Sequence, residues 1–251
     1  MTSILATLVV GLAPVQGDSA SSIVSKVLQH YADAKSISGT VTLRQRAMNQ
    51  EAKIETFMQF DRPDRVFMRQ IRHAGPATPA QTFILQTDGK TFTYSAPPGV
   101  FSKKGVVTEA VVQDGRQLQI RDMYTPFRQA VEDPNILIEL AFARKDDLRA
   151  ILDSWATMAV HSKVKIGEQD VTAIVGNLSG SKGSGGNYEL YVNDSYDVVR
   201  YVVKQYFKAP PVLDNNGNLV KPPTDQPIEV TSIWDSSLKV NGTTDPALYK
   251  G

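Results

Sequence analysis

The residue types that carry catalysis and metal binding are few in this chain and are widely spaced. None of the three histidines, His30, His73 and His161, lies at metal-ligand spacing from another, and there is no H-E-x-x-H motif. The chain has no cysteine, which excludes disulfides, thiolate catalysis and a lipid-modified N-terminal cysteine. We therefore expect no metal, no cofactor and no catalytic residue.

The other motifs that suggest chemistry fail on spacing. Residues 176–184, GNLSGSKGS, contain glycines and a lysine without P-loop spacing, and residues 214–218, DNNGN, lack the Glu that closes a calcium loop. We predict a flexible loop and a turn. Asp146, Asp147 and Asp153 are the candidate catalytic carboxylates, but helical spacing separates 146 from 153 by roughly 10 Å on a solvated face.

Charge and composition are those of an ordinary globular protein. The formal net charge is +1, and lysines and arginines are scattered along the 251 residues. Such a chain has no basic stripe for nucleic acid and no overall field toward an anionic membrane, so we expect no nucleic-acid partner. The length allows one large β-rich domain or two small ones, and no linker divides it. We expect a monomer.

The first half of the chain reads as one helix followed by a meander of strands. Residues 21–35 have apolar side chains at helical spacing after Ser21 or Ser22 as the N-cap. The predicted strands are 39–46, 53–60, 65–72, 81–87 and 91–95. Pro63 and Asp64 form the turn between the second and third strands, and Asp88-Gly89 is a strong hairpin signal before the fifth.

The second half begins with a helical insertion and then returns to strands. Short helices are predicted after residue 116, with a better one over about 145–157. The predicted strands are 162–167, 170–178, NYELYVND, VVRYVVKQYF and IEVTSIWD. A sheet with this many antiparallel strands must curl or close to protect its edges. A curved sheet with helices on its concave side satisfies both requirements, so we predict a mainly antiparallel β protein with helices (α+β).

Residues 1–17 have an apolar run that is too short to span a bilayer, which needs about 20 residues. The run is typical of a signal peptide, although no Lys or Arg precedes it, and a packed or disordered tail is the alternative. We expect export to the periplasm or beyond. Residues 18–236 are predicted to form a single domain, and 237–251 a loosely held C-terminal tail.

The order of several short motifs resembles one family. YADAKSISGTVTL, FDRPDRVFMR, LQTDGKTFTYSAPPGVFSK and YELYVNDSYDVVRYVVKQY resemble successive segments of the LolA/LolB-like periplasmic lipoprotein-carrier superfamily. The insertion at 209–226 and the tail after Trp234 depart from its pattern. The resemblance implies an incomplete β-barrel with a helical lid over an apolar cavity that holds acyl chains, and no catalysis.

The resemblance also implies which residues line that cavity, since ligand cavities are mostly apolar and aromatic. Candidate cavity residues on the strands and the lid are Leu43, Met58, Phe60, Phe67, Phe83, Leu85, Phe92, Tyr94, Leu137, Leu140, Phe142, Ile151 and Trp155. The alternative for each is ordinary core packing. Arg44, Arg62 and Arg69, with Arg65 and Arg72 beside them, either anchor a headgroup, bind helix-end carbonyls to close the lid, or are solvated charges.

We predict that the protein binds, and carries, lipid or lipoprotein acyl chains in the cell envelope without transforming them. Its partner is then a lipid or an acylated protein, together with a possible membrane protein of the envelope. One alternative is a sensor of the same fold that binds lipid or protein and signals by contact. A second alternative is an enzyme that acts on an apolar substrate in the same cavity.

Overall fold

The computed structural model describes residues 18–48, 50–75, 79–95, 106–110, 136–142, 155–179, 186–207, 212–213, 219–220 and 227–250. The helices and strands of the first half are α1 (Ala20–Ala32), β1 (Ser36–Ala47), β2 (Gln50–Asp61), β3 (Arg65–Arg72), β4 (Gln81–Thr87), β5 (Thr91–Ser95) and β6 (Val106–Ala110).

The second half has one described α-helix and eight strands. They are α2 (Ile136–Phe142), β7 (Ala159–Ile166), β8 (Gln169–Leu178), β9 (Gly186–Val192), β10 (Val198–Phe207), β11 (Val212–Leu213), β12 (Leu219–Val220), β13 (Ile228–Ser236) and β14 (Lys239–Val240). A 3-10 helix (Pro246–Tyr249) follows.

One antiparallel sheet contains all of these strands except β11 and β12, which pair with each other. Its order is β6-β5-β4-β3-β2-β1-β13-β10-β9-β8-β7, and β14 pairs with the start of β1. β13 joins the two halves because it pairs with β1 on one side and β10 on the other. Among the described strands, β6 and β7 remain the two edges, so the barrel is open.

The predicted fold class is therefore confirmed: the chain forms a large open antiparallel sheet with helices. The pattern of alternation located the hairpin strands well, and 65–72, 81–87 and 91–95 coincide with β3, β4 and β5. The alternation of side chains sets the pairing register of these strands, because a shift by one residue would exchange the buried and the exposed side chains.

The helix α1 buries one stripe of its surface against the sheet. Its buried side chains include Ile23, Val24, Val27 and Tyr31, which recur at the three- and four-residue spacing of a helix face. Ser19 rather than Ser21 or Ser22 is the N-cap, and its hydroxyl accepts from the Ser22 amide at 3.2 Å. An accepting side chain at this position satisfies an amide that has no partner within the helix.

The core lies between α1, α2 and one face of the sheet, which we call the inner face. In the first half, the residues that pair across neighbouring strands on this face form successive levels. One level is Gly39, Met58, Met68 and Leu85, and the next is Val41, Thr56, Gln70 and Phe83. The apolar residues of both levels belong to the same buried cluster as α1 and α2. Burial of each such large side chain stabilises the fold by about 1.5–3 kcal/mol.

Residues after β13 are held on the sheet by specific hydrogen bonds, in contrast to the loosely held tail that we expected. Asn241 accepts from the Lys35 amide and donates its own amide to Ser36, both at 2.7 Å. Asp245 and Gln59 exchange two bonds of 2.8 Å, which join the 3-10 helix to the face of β2 that is opposite Met58 and Phe60. We call this the outer face.

The predicted helix over 145–157 lies mostly outside the described residues. Its last part is not helical: Trp155 forms a β-bridge with Leu178, and the Ala156 amide donates to Asn177 at 2.8 Å. The backbone of this segment finds its hydrogen-bond partners at the end of β8, which local periodicity does not reveal.

Gly39 is required where β1 passes under the turn that leads to β14. Its φ is +145°, and a Cβ on this residue would lie 2.5 Å from the Ser237 carbonyl oxygen. We expect Gly39→Ala to lower the free energy of unfolding by about 2–4 kcal/mol, since backbone strain and a clash with main chain combine. Urea denaturation measures the change.

Gly167 provides the control because it also has a positive φ, +61°, but no atom lies within 4 Å of its added Cβ. Gly167→Ala should cost only about 1 kcal/mol. Equal losses in the two variants would contradict the close approach at Gly39.

Candidate functional site

The apolar inner face and the two helices over it form the candidate site. Of the predicted cavity residues on the strands, Leu43, Met58, Phe60, Phe83 and Leu85 are buried there, each no more than 5% exposed. Their alternation with polar or exposed neighbours gives them this face. The structure thus brings these five together in one apolar wall.

Three predicted strand residues need separate comment. Phe92 and Tyr94 belong to β5, where they pair with Thr87 and Leu85, and their side chains are outside the described part of the structure. Phe67 lies between Val66 and Met68, so its side chain is on the outer face, away from the predicted cavity. Its ring is 6.0 Å from that of Phe57. Because Val66, Phe67 and Met68 are all hydrophobic, the sequence alone does not show that Val66 and Met68 point inward and Phe67 outward.

The residues predicted on the lid are placed by α2. Leu137, Leu140 and Phe142 are buried, and the Phe142 ring meets the Phe60 ring edge-on at 5.1 Å. This contact joins α2 to the C-terminal end of β2. Ile151 lies outside the described residues, and Trp155 is buried in the second half of the sheet.

Arg62 connects both helices to the hairpin between β2 and β3. Its guanidinium donates to the carbonyl of Tyr31 in α1 at 3.2 Å and to that of Ala141 in α2 at 2.9 Å. Burial lowers the pKa of this side chain below its ordinary value, and the group remains a cation. A single side chain therefore satisfies carbonyls at the ends of two helices, which have no partners within the helices.

The turn that presents Arg62 is itself packed. Asp64 is only 6% exposed and lies against Gly89 in the β4–β5 turn, where a Cβ would meet its carboxylate at 2.6 Å. Gly89 has a φ of +90°. Burial raises the pKa of Asp64. The two hairpin turns, 62–64 and 88–89, thus support each other beside the helix ends.

The same end of α1 is also held by the second half of the sheet. The Tyr31 hydroxyl accepts from the Val198 amide at 3.2 Å, and His30 Nε2 lies 2.8 Å from Asp197 Oδ1. Because Tyr31 is fully buried, its pKa is raised above the ordinary value. Arg62 and the residues at the β9–β10 turn therefore both hold the C-terminal end of α1.

Arg44 and Arg69 have different surroundings from Arg62. Arg44 and Arg200 both contact the carboxylate of Asp235. Arg69 is exposed on the outer face, where its backbone pairs with Phe57. Both arginines lie on the face of the sheet opposite to α1 and α2, so the structure does not bring them to the site.

A series of aromatic rings continues the inner face into the second half. Trp155 stacks on Tyr188 at 4.2 Å, and Tyr201 stacks on Trp234 at 5.3 Å. Trp155 and Tyr201 are 6.3 Å apart, so the four rings follow one another across β9, β10 and β13. Sequence reasoning missed Tyr188, Tyr201 and Trp234, although the alternation in YELYV and VVRYVV places a tyrosine on the inner face of each strand.

The groups considered for catalysis are not assembled in the described part. His73 Nε2 is 2.7 Å from Glu55, His161 is exposed, and Asp146, Asp147 and Asp153 lie outside the described residues. A search of the described residues finds no group of three or more His, Cys, Asp or Glu side chains that could hold a metal ion. In the same residues, no helix has the length and apolar character to cross a membrane.

The fold and site define an open antiparallel half-barrel with helices on its inner face. No family model matches the chain, and no curated protein matches it. Solved structures that match include the MucA/MucB complex of Pseudomonas aeruginosa, with 12% identity, a TM-score of 0.42, and coverage of 92% of this chain and 60% of that chain.

Two further matches cover at least nine tenths of both chains. LprF from Mycobacterium bovis has 12% identity and a TM-score of 0.42, over 90% of this chain and 94% of that one. A LolA superfamily protein from Nitrosomonas europaea has 12% identity and a TM-score of 0.30, over 93% and 99%. A member of the family that the sequence resembles is thus among the matches. These similarities are distant in sequence.

Tyr201 offers a test of burial within the aromatic series. Burial raises its pKa to about 12, against about 10 in an unfolded chain. A tyrosine is neutral when protonated, so its contribution to stability is present below pH 10 and is lost as the pH rises toward 12. We expect the free energy of unfolding to fall over that interval by about 1.4 kcal/mol per pH unit from this one group.

The check is urea denaturation of the wild type and of Tyr201→Phe at several values between pH 9 and pH 11. The phenylalanine keeps the ring contacts but has no proton to lose, so the fall with pH should be shallower in the variant. Parallel curves for the two proteins would mean that Tyr201 titrates normally and is not buried in solution.

Proposed function

We propose that the protein binds an acyl chain, or a similar apolar ligand, on the inner face beneath α1 and α2, without transforming it, in the cell envelope. The observation that carries this proposal is the attachment of both helices through Arg62. The helices are covers that pack on the inner face through apolar side chains and are tied at their ends by hydrogen bonds, and beneath them lies a wall of Leu, Met and Phe side chains.

The energetics support ligand entry by displacement of the helices. Each methylene removed from water stabilises a complex by about 0.8 kcal/mol, so an acyl chain with about ten buried methylenes replaces part of the apolar contact between the helices and the sheet and offsets the loss of a few polar contacts. Met58 and Met68 favour this role because unbranched thioethers adapt to ligands of irregular shape. In the absence of ligand, the inner face is covered by the helices and stays dry.

Carriage from one membrane to another, sensing by contact and catalysis are different uses of the same site. We favour carriage because Arg62 holds the helices by hydrogen bonds, which can break and form again as a ligand enters and leaves. The periplasmic or secreted location and the signal peptide at 1–17 belong to this proposal. So do the partners, a lipid or acylated protein and a membrane protein of the envelope.

Removal of the Arg62 side chain tests the proposal. Arg62→Ala deletes two charge-assisted hydrogen bonds to helix carbonyls, which shifts the population toward the open form. We expect a fluorescent long-chain fatty acid to enter the variant about tenfold faster than the wild type. Stopped-flow fluorescence measures the rate, and Arg62→Lys, which keeps a cation, should lie between the two.

The matched control is Arg69→Ala, which removes an exposed arginine from the outer face of the next strand and should leave uptake unchanged. Native mass spectrometry of the protein from its own compartment should also show a co-purified lipid. A clean apo mass, together with no uptake by any of the variants, would overturn acyl binding. Turnover of an ester, amide or phosphoester substrate would instead establish an enzyme.

A further inference from the structure

Arg62 has a hydrogen-bond donor that its contacts with the helices do not use. One terminal nitrogen of its guanidinium, Nη2, donates to the carbonyls of both Tyr31 and Ala141. The Nε–H of the same group is buried and has no acceptor in the part of the chain that the structure describes. A buried donor without an acceptor is unfavourable, and more so when it belongs to a charged group. One edge of the guanidinium can therefore still bind an oxygen atom.

The positive charge of Arg62 has no carboxylate beside it. Within the ranges that the structure describes, the ion pairs do not include Arg62. Burial is what lowers the pKa of its guanidinium, and no described acid opposes that effect. The group is nevertheless always protonated. A partly buried cation that contacts only neutral carbonyls is best stabilised by an anion.

The carboxylates nearest to Arg62 in the sequence have other contacts. Asp61 lies on the outer face, where its Oδ2 accepts from the Thr244 hydroxyl at 2.8 Å. Asp64 packs against Gly89 in the next hairpin turn. Because neither acid contacts the guanidinium, the acid group of a ligand is the partner that would complete it.

The apolar wall begins directly beside the guanidinium. Phe60 precedes Arg62 by two residues and is fully buried on the inner face. Phe142 follows Ala141, whose carbonyl Arg62 binds, and its ring contacts the Phe60 ring at 5.1 Å. The polar contact and the first apolar contact between sheet and cover are therefore neighbours, so an acid group at Arg62 has its chain next to these rings.

The inner face of β2 gives that chain a continuous apolar path. From Arg62 inward, the side chains are Phe60, Met58 and then Thr56, which accepts from Gln70 at 3.0 Å. A strand rises about 3.4 Å per residue, so this buried polar pair lies about 20 Å from Arg62. One acyl chain spans about half of the 30 Å hydrocarbon core of a bilayer, or about 15 Å. An acyl chain thus fits between Arg62 and Thr56.

We propose that Arg62 binds the acid group of a long-chain carboxylate or phosphate whose acyl chain lies on the inner face. The acid replaces the helix carbonyls as the partner of the guanidinium when the helices move away. The inference rests on the proposed acyl-binding function and adds the class of ligand, an amphiphile with an anionic end in preference to a neutral lipid. Hydrogen bonds between charged groups are about twice as strong as neutral ones, so an acid compensates for the lost carbonyl contacts better than an ester does.

Arg62 then has two effects that one substitution separates. Its bonds to the helix carbonyls slow the entry of any apolar ligand, whereas its contact with an acid group stabilises only a ligand that has one. Arg62→Gln should therefore speed the entry of acid and ester alike, and it should weaken the equilibrium binding of the acid alone.

The experiment measures the dissociation constants of dansyl-undecanoic acid and of its neutral methyl ester by fluorescence titration. From the wild type to Arg62→Gln, the constant of the acid should rise about tenfold, while that of the ester should stay the same or fall. Arg62→Lys keeps a cation with fewer donors, so the constant of the acid should rise only about threefold. The matched control is Arg65→Gln, which removes an exposed arginine from the outer face of the same hairpin and should change neither constant.

The possible failures are distinguishable. If neither probe binds the wild type, the acyl-binding function itself fails. If Arg62→Gln changes both constants by the same factor, or if Arg65→Gln weakens the acid equally, acyl binding stands and the acid contact at Arg62 is overturned. Should Arg62→Gln not fold, as circular dichroism would show, Arg62→Lys decides by the same comparison. Acetate and inorganic phosphate serve as competitors: displacement of the acid probe by either at a similar concentration would reveal a site for free small anions and overturn the proposal.

Discussion

The contacts of Arg62 are the interaction on which the arrangement of this molecule depends. One guanidinium binds carbonyls of two helices that are far apart in sequence, and it stands on a hairpin whose turn is packed against the next hairpin. Helix ends have carbonyls that need partners, and a buried carbonyl without one costs about 1–3 kcal/mol. Arg62 meets that need for α1 and α2 together, in addition to the apolar side chains that both helices bury against the inner face.

The sheet beneath the helices has an amphipathic order along its strands. Its wall is apolar near Phe60 and Met58, contains the buried hydrogen-bonded pair Thr56 and Gln70 one level further, and is more polar at the level of Gln45. The aromatic series from Tyr188 to Trp234 extends the wall into the second half of the sheet.

Much of this fold could be predicted from the sequence because hairpin strands alternate strictly and their turns have strong local signals. Asp88-Gly89 and Pro63-Asp64 were sufficient to locate β2 to β5, and VVRYVVKQYF located β10. The face of Phe67 could not be found, because Val66, Phe67 and Met68 are all buried and the C-terminal 3-10 helix packs on the outer face. The β-bridge of Trp155 and the attachment of residues 237–250 to the sheet were not predicted for a related reason: their hydrogen-bond partners lie far away in the sequence, and local patterns do not indicate them.

In the proposed mode of binding, α1 is a cover which a long-chain ligand displaces. Because the chain has no cysteine, two introduced cysteines can be labelled uniquely. Ser25→Cys on the exposed side of α1 and Asn187→Cys on β9 are suitable, since both residues are exposed. Spin-label distance measurements should give one narrow distribution in the apo protein and a longer, broader one after saturation with a long-chain fatty acid. A distribution that stays unchanged with the ligand present would contradict the account.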